Sequence, residues 1–329
     1  MNRIAALAEL DPARYQRHPT HTEAARWSEK NCYVDVWLEL LHAMRLEPMA
    51  MLPFTLSLDF LGDQWTFYKP SHDDLYEMYG LEVQELTVWR TLAEHAREHL
   101  GAGRLISIES DAYWLPDTAG TDYRTQRTKT TIVINAVDFA SRRVEYFHNA
   151  SYHMAEGEDF DHILAPEGAM PFFAELVIPA RRQQLDPATL RRLARARVRR
   201  HLHRRPATNP VARFHARLLH DVPWLHDQGI EHYHAWAFAT TRQLGSAFEL
   251  AAQHLRWLDG GQGQPELAIA ANAFDTISER CKTFILKGAR MVMGRRPMND
   301  GPMFEEMARS WDEGMSALER AVEGMDIAA

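Results

Sequence analysis

Apolar residues recur along this chain with two periods, and the change of period divides it. From Asn31 to Arg45, the residues Val34, Trp37, Leu38, Leu41 and Met44 fall at i, i+3, i+4 and i+7, the spacing of an amphipathic helix packed on a core. Asn31 is a good N-cap residue and puts Cys32 at the first helical position. Further helices are expected from Ser71 to Met78, stopped by Gly80, and from Thr87 to Leu100, stopped by Gly101 and Gly103. Residues 1–30 predict a short helix and then a polar lead-in with His18 and His21. Pro48 and Pro53 mark the exit from the Cys32 helix. Phe54–Phe60 reads as a strand or a short buried element, and strand-like or extended runs come next at Gln64–Tyr68, Glu82–Leu86, Arg104–Glu109, Thr130–Val137 and Arg143–His148. Asp138–Arg142 reads as a hairpin turn, and Asp117–Arg127 as a polar loop. Helices followed by an antiparallel sheet make an α+β pattern. After Pro179 the alternation is lost, and Leu185–Gly324 reads as almost wholly helical. Breaks are expected at Pro206–Pro210, Pro223, Gly260–Pro265 and Pro297–Pro302. The expected organisation is an α+β domain over residues 1–180 carrying Cys32, then an all-α domain over residues 181–329 that opens with a basic helix.

Composition narrows the class. The chain has 329 residues, 46% hydrophobic and 25% charged, as a soluble globular protein does. A net charge of −8 gives no global attraction to nucleic acid. Two cysteines, Cys32 and Cys281, make no disulfide framework. The N-terminal stretch is broken by Glu9 and Asp11 and lacks the apolar core of a signal peptide. No apolar run reaches the length of a membrane span. The cytoplasm is the expected address.

Cys32 is the first candidate for chemistry. A thiol at the first position of a helix faces unpaired amides and the positive end of the helix dipole, which favour the reactive thiolate. A cysteine in such a protein is also commonly a small buried apolar residue. Cys281, in the apolar helix Ile277–Leu286, fits that second description. The 17 histidines include His201-Leu-His203 and His232-Tyr-His234. Neither pair has the flanking spacing of a zinc motif, so no metal is expected.

The order and spacing of several pieces resemble the N-terminal domain of butirosin biosynthesis protein H and, more closely, a family of bacterial proteins related to it. These pieces are Asn31-Cys-Tyr-Val-Asp-Val-Trp37 with Glu39-Leu-Leu-His42, Gly62-Asp-Gln-Trp-Thr-Phe-Tyr-Lys69, Gly103-Arg-Leu-Ile-Ser-Ile-Glu-Ser-Asp-Ala-Tyr-Trp-Leu-Pro116, Lys129-Thr-Thr-Ile132 and Tyr146-Phe-His-Asn149. The resemblance covers residues 28–165. It implies a papain-like cysteine-transferase fold in which a helix-tip Cys faces a His at the head of one strand and an Asp or Asn on the next. It also implies an activity: moving an aminoacyl group from the phosphopantetheine thioester of a carrier protein to an amine. No bound cofactor is implied, the pantetheine arm being part of the substrate. This sequence departs from the pattern where the relatives begin a strand with His, for it carries Lys129-Thr130-Thr131. Either the base has moved to His148, with Asn149 or Asp111 orienting it, or the dyad is broken.

On that reading Cys32 attacks the thioester, His148 shuttles protons, and the Cys32 amide with the side-chain amide of Gln64 or Asn31 receives the oxyanion. Asp111, Tyr113, Lys129 and Trp65 are candidate substrate contacts. Each has a plain alternative: a strand end for His148, a hairpin anchor for Gln64, turn capping for Asp111 and Tyr113, a strand-end charge for Lys129. The basic run holding Arg191, Arg192, Arg195 and Arg199 reads as a solvated helix face, as an RNA contact, or as a grip for an acidic carrier protein and its pantetheine phosphate. Missing aromatics and RNA motifs argue against RNA. The aromatic residues of the helical half, from Trp224 to Trp311, read as core, with a homodimer surface as a further expectation. Three functions stay open: a thiol acyltransferase, a catalytically degenerate docking module for an aminoacylated carrier protein or its ligase, and a thioester or amide hydrolase.

Overall fold

The computed structural model describes residues 3–22, 25–165, 172–298 and 300–323. In chain order its elements are β1 (Ile4–Ala5), α1 (Cys32–Ala43), β2 (Phe60–Leu61), β3 (Gln64–Trp65), α2 (His72–Tyr79), β4 (Glu82–Glu85), α3 (Leu92–Gly101), β5 (Leu105–Asp111), β6 (Lys129–Asp138), β7 (Arg143–His148), β8 (Ser151–Glu156), α4 (Glu158–Leu164) and β9 (Ala174–Ile178). Six helices complete the chain: α5 (Pro187–His203), α6 (Pro210–Gln228), α7 (Ile230–Ala239), α8 (Thr241–Asp259), α9 (Pro265–Met293) and α10 (Gly301–Glu323). The architecture is an α+β domain with an antiparallel sheet and then an all-helical domain. Two compact units interleave in sequence. The first is Met1–Thr22, Asn31–Pro48 and Ser71–Leu185; the second is Glu23–Lys30, Met49–Pro70 and Asp186–Ala329.

In the first unit the strands run antiparallel in the order β4-β9-β5-β6-β7-β8, with β1 beside β6. The pleat sends alternate side chains to opposite faces. Ile106, Ile108, Ile132, Ile134, Val144 and Tyr146 form one face and bury against Leu92, Ala96 and Leu100 of α3 and Phe160 and Ile163 of α4. Thr131, Val133 and Phe147 lie on the other face, over which α1 packs across β6, β7 and β8. One irregularity sets the face that each residue near the end of β7 takes. The pairing of β6 with β7 shifts by one residue between Ile134 and Ala136, so Asn135 is a bulge. Its carbonyl accepts from the Ala6 amide at 2.9 Å, and its side chain bonds both the amide (2.7 Å) and the carbonyl (3.1 Å) of Leu7.

The local signals hold at several ends. The Asn31 side chain accepts from the Val34 amide, Ser71 caps α2, and Gly80 ends α2 with φ +68°. Three expectations change, and one that had two forms is decided. The start of the chain gives the two-residue strand β1 rather than a helix, because Ile4 and Ala5 pair with Val137 and Ala136. Phe54–Phe60 is the short buried element rather than the strand: residues Pro48–Ser57 wind as a 3₁₀ helix, Phe54, Leu56 and Leu58 are buried, and a strand begins only at Phe60. The helix expected from Thr87 starts at Leu92, where Thr91 and Glu94 form a reciprocal capping box. Pro223 lies inside α6 instead of breaking it. Strands β8 and β9 and helix α4 had no counterpart among the expected elements.

In the second unit α9 packs against α8 and α10. A side chain at Gly314 would run into the Phe274 ring, so α9 and α10 approach closely only because this residue has none. Phe248, Phe274 and Phe284 are buried, as expected of core, whereas Trp224 and Phe238 are exposed. Among the described residues no helix is long and apolar enough to cross a membrane.

Candidate active site

The two cysteines differ in kind. Cys281 is fully buried against Met307, and burial pushes its thiol well up. Cys32 is half-buried at the first position of α1, and its thiol donates to the Thr131 hydroxyl at 3.8 Å. Asn31 uses its side chain for the Val34 amide and its carbonyl for the Asp35 amide. It therefore fixes where the helix starts and where the thiol stands.

His148 is not the partner of Cys32. It pairs across the sheet with Ile132, while the residue touching the thiol is Thr131. Directly opposed residues share a face and consecutive ones do not, so the sheet separates the imidazole from the thiol. His148 is 1% exposed and engaged at both ring nitrogens, with Asp117 Oδ2 at 2.5 Å from Nδ1 and Thr130 Oγ1 at 2.8 Å from Nε2. The Tyr146 hydroxyl donates to the other Asp117 oxygen at 2.6 Å. Burial alone would raise the Asp117 carboxyl. The hydrogen bond and charge of His148, the charge of His153 and the Tyr146 hydroxyl outweigh it and hold the group below the usual carboxylate range. Burial lowers His153.

The orienter of His148 is thus Asp117, not Asn149 or Asp111. Asn149 has φ +45° in the two-residue turn between His148 and Ser151, a conformation that asparagine tolerates better than most residues. Asp111 accepts from the amides of Tyr113 and Thr128 and pairs with Arg127 at 2.8 Å. The Tyr113 ring lies under Arg127. Lys129 pairs with Glu109 at 2.6 Å. Gln64 and Trp65 fold with the second unit, where Gln64 is exposed beside the hairpin turn and Trp65 packs on Phe60 and Phe214.

Three of the four arginines named on α5 serve its own unit. Arg191 donates to the Trp257 carbonyl in the last turn of α8 (3.1 Å), Arg199 to the Val322 carbonyl at the end of α10 (3.3 Å), and Arg195 to Gln262 (3.4 Å). Cations are favoured at helix C-termini, which accounts for Arg191 and Arg199. Arg192 is exposed. His201 is buried beside Ser57, whereas His203, His232 and His234 are exposed. Among the described residues no group of three or more His, Cys, Asp or Glu is placed to hold a metal ion.

Several residues on the thiol's face escaped sequence reasoning. Glu109 lies directly opposite Thr131 on β5. Glu175 on β9 accepts from the Tyr33 hydroxyl at 3.1 Å and faces His72 Nε2 at 3.5 Å. The Ser71 cap, which puts His72 at a helix start, was the one visible signal for that pair. Nothing in the local sequence marked Asp117 apart from its polar loop.

Residues 16–178 match the family model of the DUF1839 N-terminal domain, and residues 187–320 match that of the DUF1839 C-terminal domain. No curated protein matches the chain.

Proposed function

The chain belongs to the DUF1839 family, and from that premise and the setting of Cys32 we propose that it is a thiol acyltransferase. Cys32 takes an acyl group from a carrier-protein phosphopantetheine thioester and passes it to an amine. One observation carries this reading: of the two thiols, Cys32 alone stands half-exposed at a helix start, against a hydroxyl instead of packed hydrocarbon. Thioester exchange suits such a site. The attacking thiolate and the leaving pantetheine thiolate are chemically alike, so the first step needs little general acid or base. Amide cleavage needs a proton on its leaving nitrogen, and among the described residues the hydrogen-bond partner of the Cys32 thiol is the Thr131 hydroxyl rather than an imidazole. That favours transfer over hydrolysis. The resemblance of the Asn31–Trp37 and Tyr146–Asn149 pieces to the butirosin protein supports a papain-like layout for the first unit.

A second reading has its own support. Thr131 occupies the strand position that faces the thiol, and a hydroxyl is a poor base. A docking module that binds an acylated carrier protein, or its ligase, without accepting the acyl group is therefore the rival.

Intact-mass measurement separates the two. The protein is incubated with an aminoacyl carrier protein, and the same is done with Cys32→Ala. Acyltransfer predicts a mass increase equal to the acyl group in the natural protein and none in the variant. Carrier binding without an adduct in either would establish the docking module instead. Adding candidate amines to the adduct and analysing products distinguishes transfer from release of the free acid.

A further inference from the structure

At the open end of the β5–β6 ladder lies a cavity of about 410 Å³ lined in part by Glu109, Ser110, Asp111, Trp114, Arg127 and Lys129. Two of its residues lie on the thiol's face of the sheet: Glu109 is directly opposite Thr131, whose hydroxyl accepts from the Cys32 thiol, and Lys129 is one pleat repeat along the same strand. We infer that this cavity is the acceptor site of the transfer, resting on the acyl-thiol reading above, and that it takes a zwitterionic amine, a molecule with a primary ammonium at one end and a carboxylate at the other.

The charge pattern selects that class. The lining alternates two carboxylates with two cations, joined as Glu109–Lys129 (2.6 Å) and Asp111–Arg127 (2.8 Å). A plain anion would meet Glu109 and Asp111, and a plain cation would meet Lys129 and Arg127. A zwitterion can exchange partners with both pairs. Side-chain exposures of 70% and 47% in the first pair and 53% and 28% in the second mean that each is weakly held in water and opens at small cost. The indole N–H of Trp114, a residue 8% exposed, has no hydrogen-bond partner among the described residues, although buried polar groups nearly always have one. The Trp114 ring lines the cavity, so its buried N–H reports what enters.

The polarity follows from position. Of the two carboxylates named in the lining, Glu109 is the one opposite Thr131, so the ammonium lies there and the ligand carboxylate lies toward Arg127. Glu109 then takes one proton from the ammonium. The freed nitrogen attacks the acyl carbon of the Cys32 thioester, a C–N bond forms, and the C–S bond breaks. The departing Cys32 thiolate takes the second nitrogen proton.

The test uses the full chain with glycine and 4-aminobutyrate as zwitterionic probes and ethylamine and acetate as singly charged ones. The Trp114 indole N–H resonance, assigned by its loss in Trp114→Phe, reports binding. At least one zwitterion should move it with at least tenfold tighter binding than either singly charged probe, and Arg127→Gln should weaken that binding tenfold. In parallel, Cys32 is acylated with an N-acetylcysteamine thioester and the zwitterion is added. Glu109→Gln should lower the yield of amide per acylated Cys32 tenfold. Equal response to all four probes, or an amide yield unmoved in Glu109→Gln, overturns the inference. If the indole responds to zwitterions but Cys32 never acylates, the acyl-thiol reading falls and the site remains as a binding site.

Discussion

The two faces of the first unit's sheet each carry residue types found in reactive centres, and they differ in access. On one face, His148, Asp117, Tyr146 and Thr130 form a closed hydrogen-bonded chain whose imidazole is 1% exposed. On the other, Cys32 and Thr131 meet at a half-exposed helix start beside two exposed ion pairs. A Thr–His–Asp sequence of bonds resembles a catalytic relay on paper. Sealed in a core, it is a structural clamp that ties the loop after β5 to the sheet. Access to solvent in this sheet depends on which face a residue points to and whether that face opens, not on residue type.

The sharpest way to break this comparison is His148→Ala. It leaves the buried Asp117 carboxylate without its His148 hydrogen bond, and losing a hydrogen bond to a charged group costs about 1.5–3 kcal/mol. Urea denaturation of the variant should show that loss. Alkylation of Cys32 by iodoacetamide, under conditions where the variant remains folded, should stay within about twofold of the natural protein, as expected for sites that do not share partners. A large fall in alkylation with little loss of stability would mean that the imidazole does reach the thiol.

Acid should strip the closed face in two stages. Burial lowers His153, so the unfolded chain, with a histidine value of about 6.5, binds more protons than the folded one once pH drops below that. Stability then falls as pH descends from there through the lowered value of His153. The second stage belongs to Asp117. Its folded value is held down, so its contribution is present above the unfolded value of about 3.9 and is lost as pH falls through the lowered one. In Asp117→Asn the loss below pH 4 should shrink while the stage near pH 6 remains, as read from melting temperature against pH.

How much of this was legible beforehand divides along the same line. Asn31 as a cap, Cys32 at the first helical position, Ser71 and Gly80 around α2, and the Asp138–Arg142 turn were all readable, because each rests on neighbours within one turn of chain. The face of His148 was not. Counting pairs outward from Asp138 and Arg143 puts His148 opposite Val133, on the side of the thiol. The bulge at Asn135 moves it opposite Ile132, on the other side. A one-residue slip inverts every side chain beyond it. What fixes that slip is the bonding of Asn135 to Ala6 and Leu7, well over a hundred residues away, and no local pattern announces it. The role of the arginines on α5 was hidden in the same way, since their carbonyl partners sit at the ends of α8 and α10.

Thr131→His offers a constructive form of the comparison. It places an imidazole on the thiol's own face, at the strand position whose hydroxyl now meets Cys32. Half-burial of Thr131 leaves room for the larger ring to turn outward. Alkylation of Cys32 near pH 7 should accelerate on the order of tenfold, at the modest end of what a positioned base supplies. An unchanged rate would mean that the position opposite the thiol does not govern its reactivity, and the docking reading would gain.

The smallest effect concerns how the open face is held. Asn31 gives its side chain to the Val34 amide at 2.9 Å, and losing such a cap typically costs about 1 kcal/mol. Asn31→Ala should lower stability by that amount and loosen the first turn, where Cys32 stands; Asn31→Ser, another good cap, should recover most of it. The alkylation rate of Cys32 is the telling readout. If the rate falls in the alanine variant and returns in the serine one, the helix start itself maintains the thiol's reactivity, and the open face depends on local backbone order as the closed face depends on burial. If all three rates agree while stability differs, the cap is purely structural, and the contrast between the faces reduces to exposure alone.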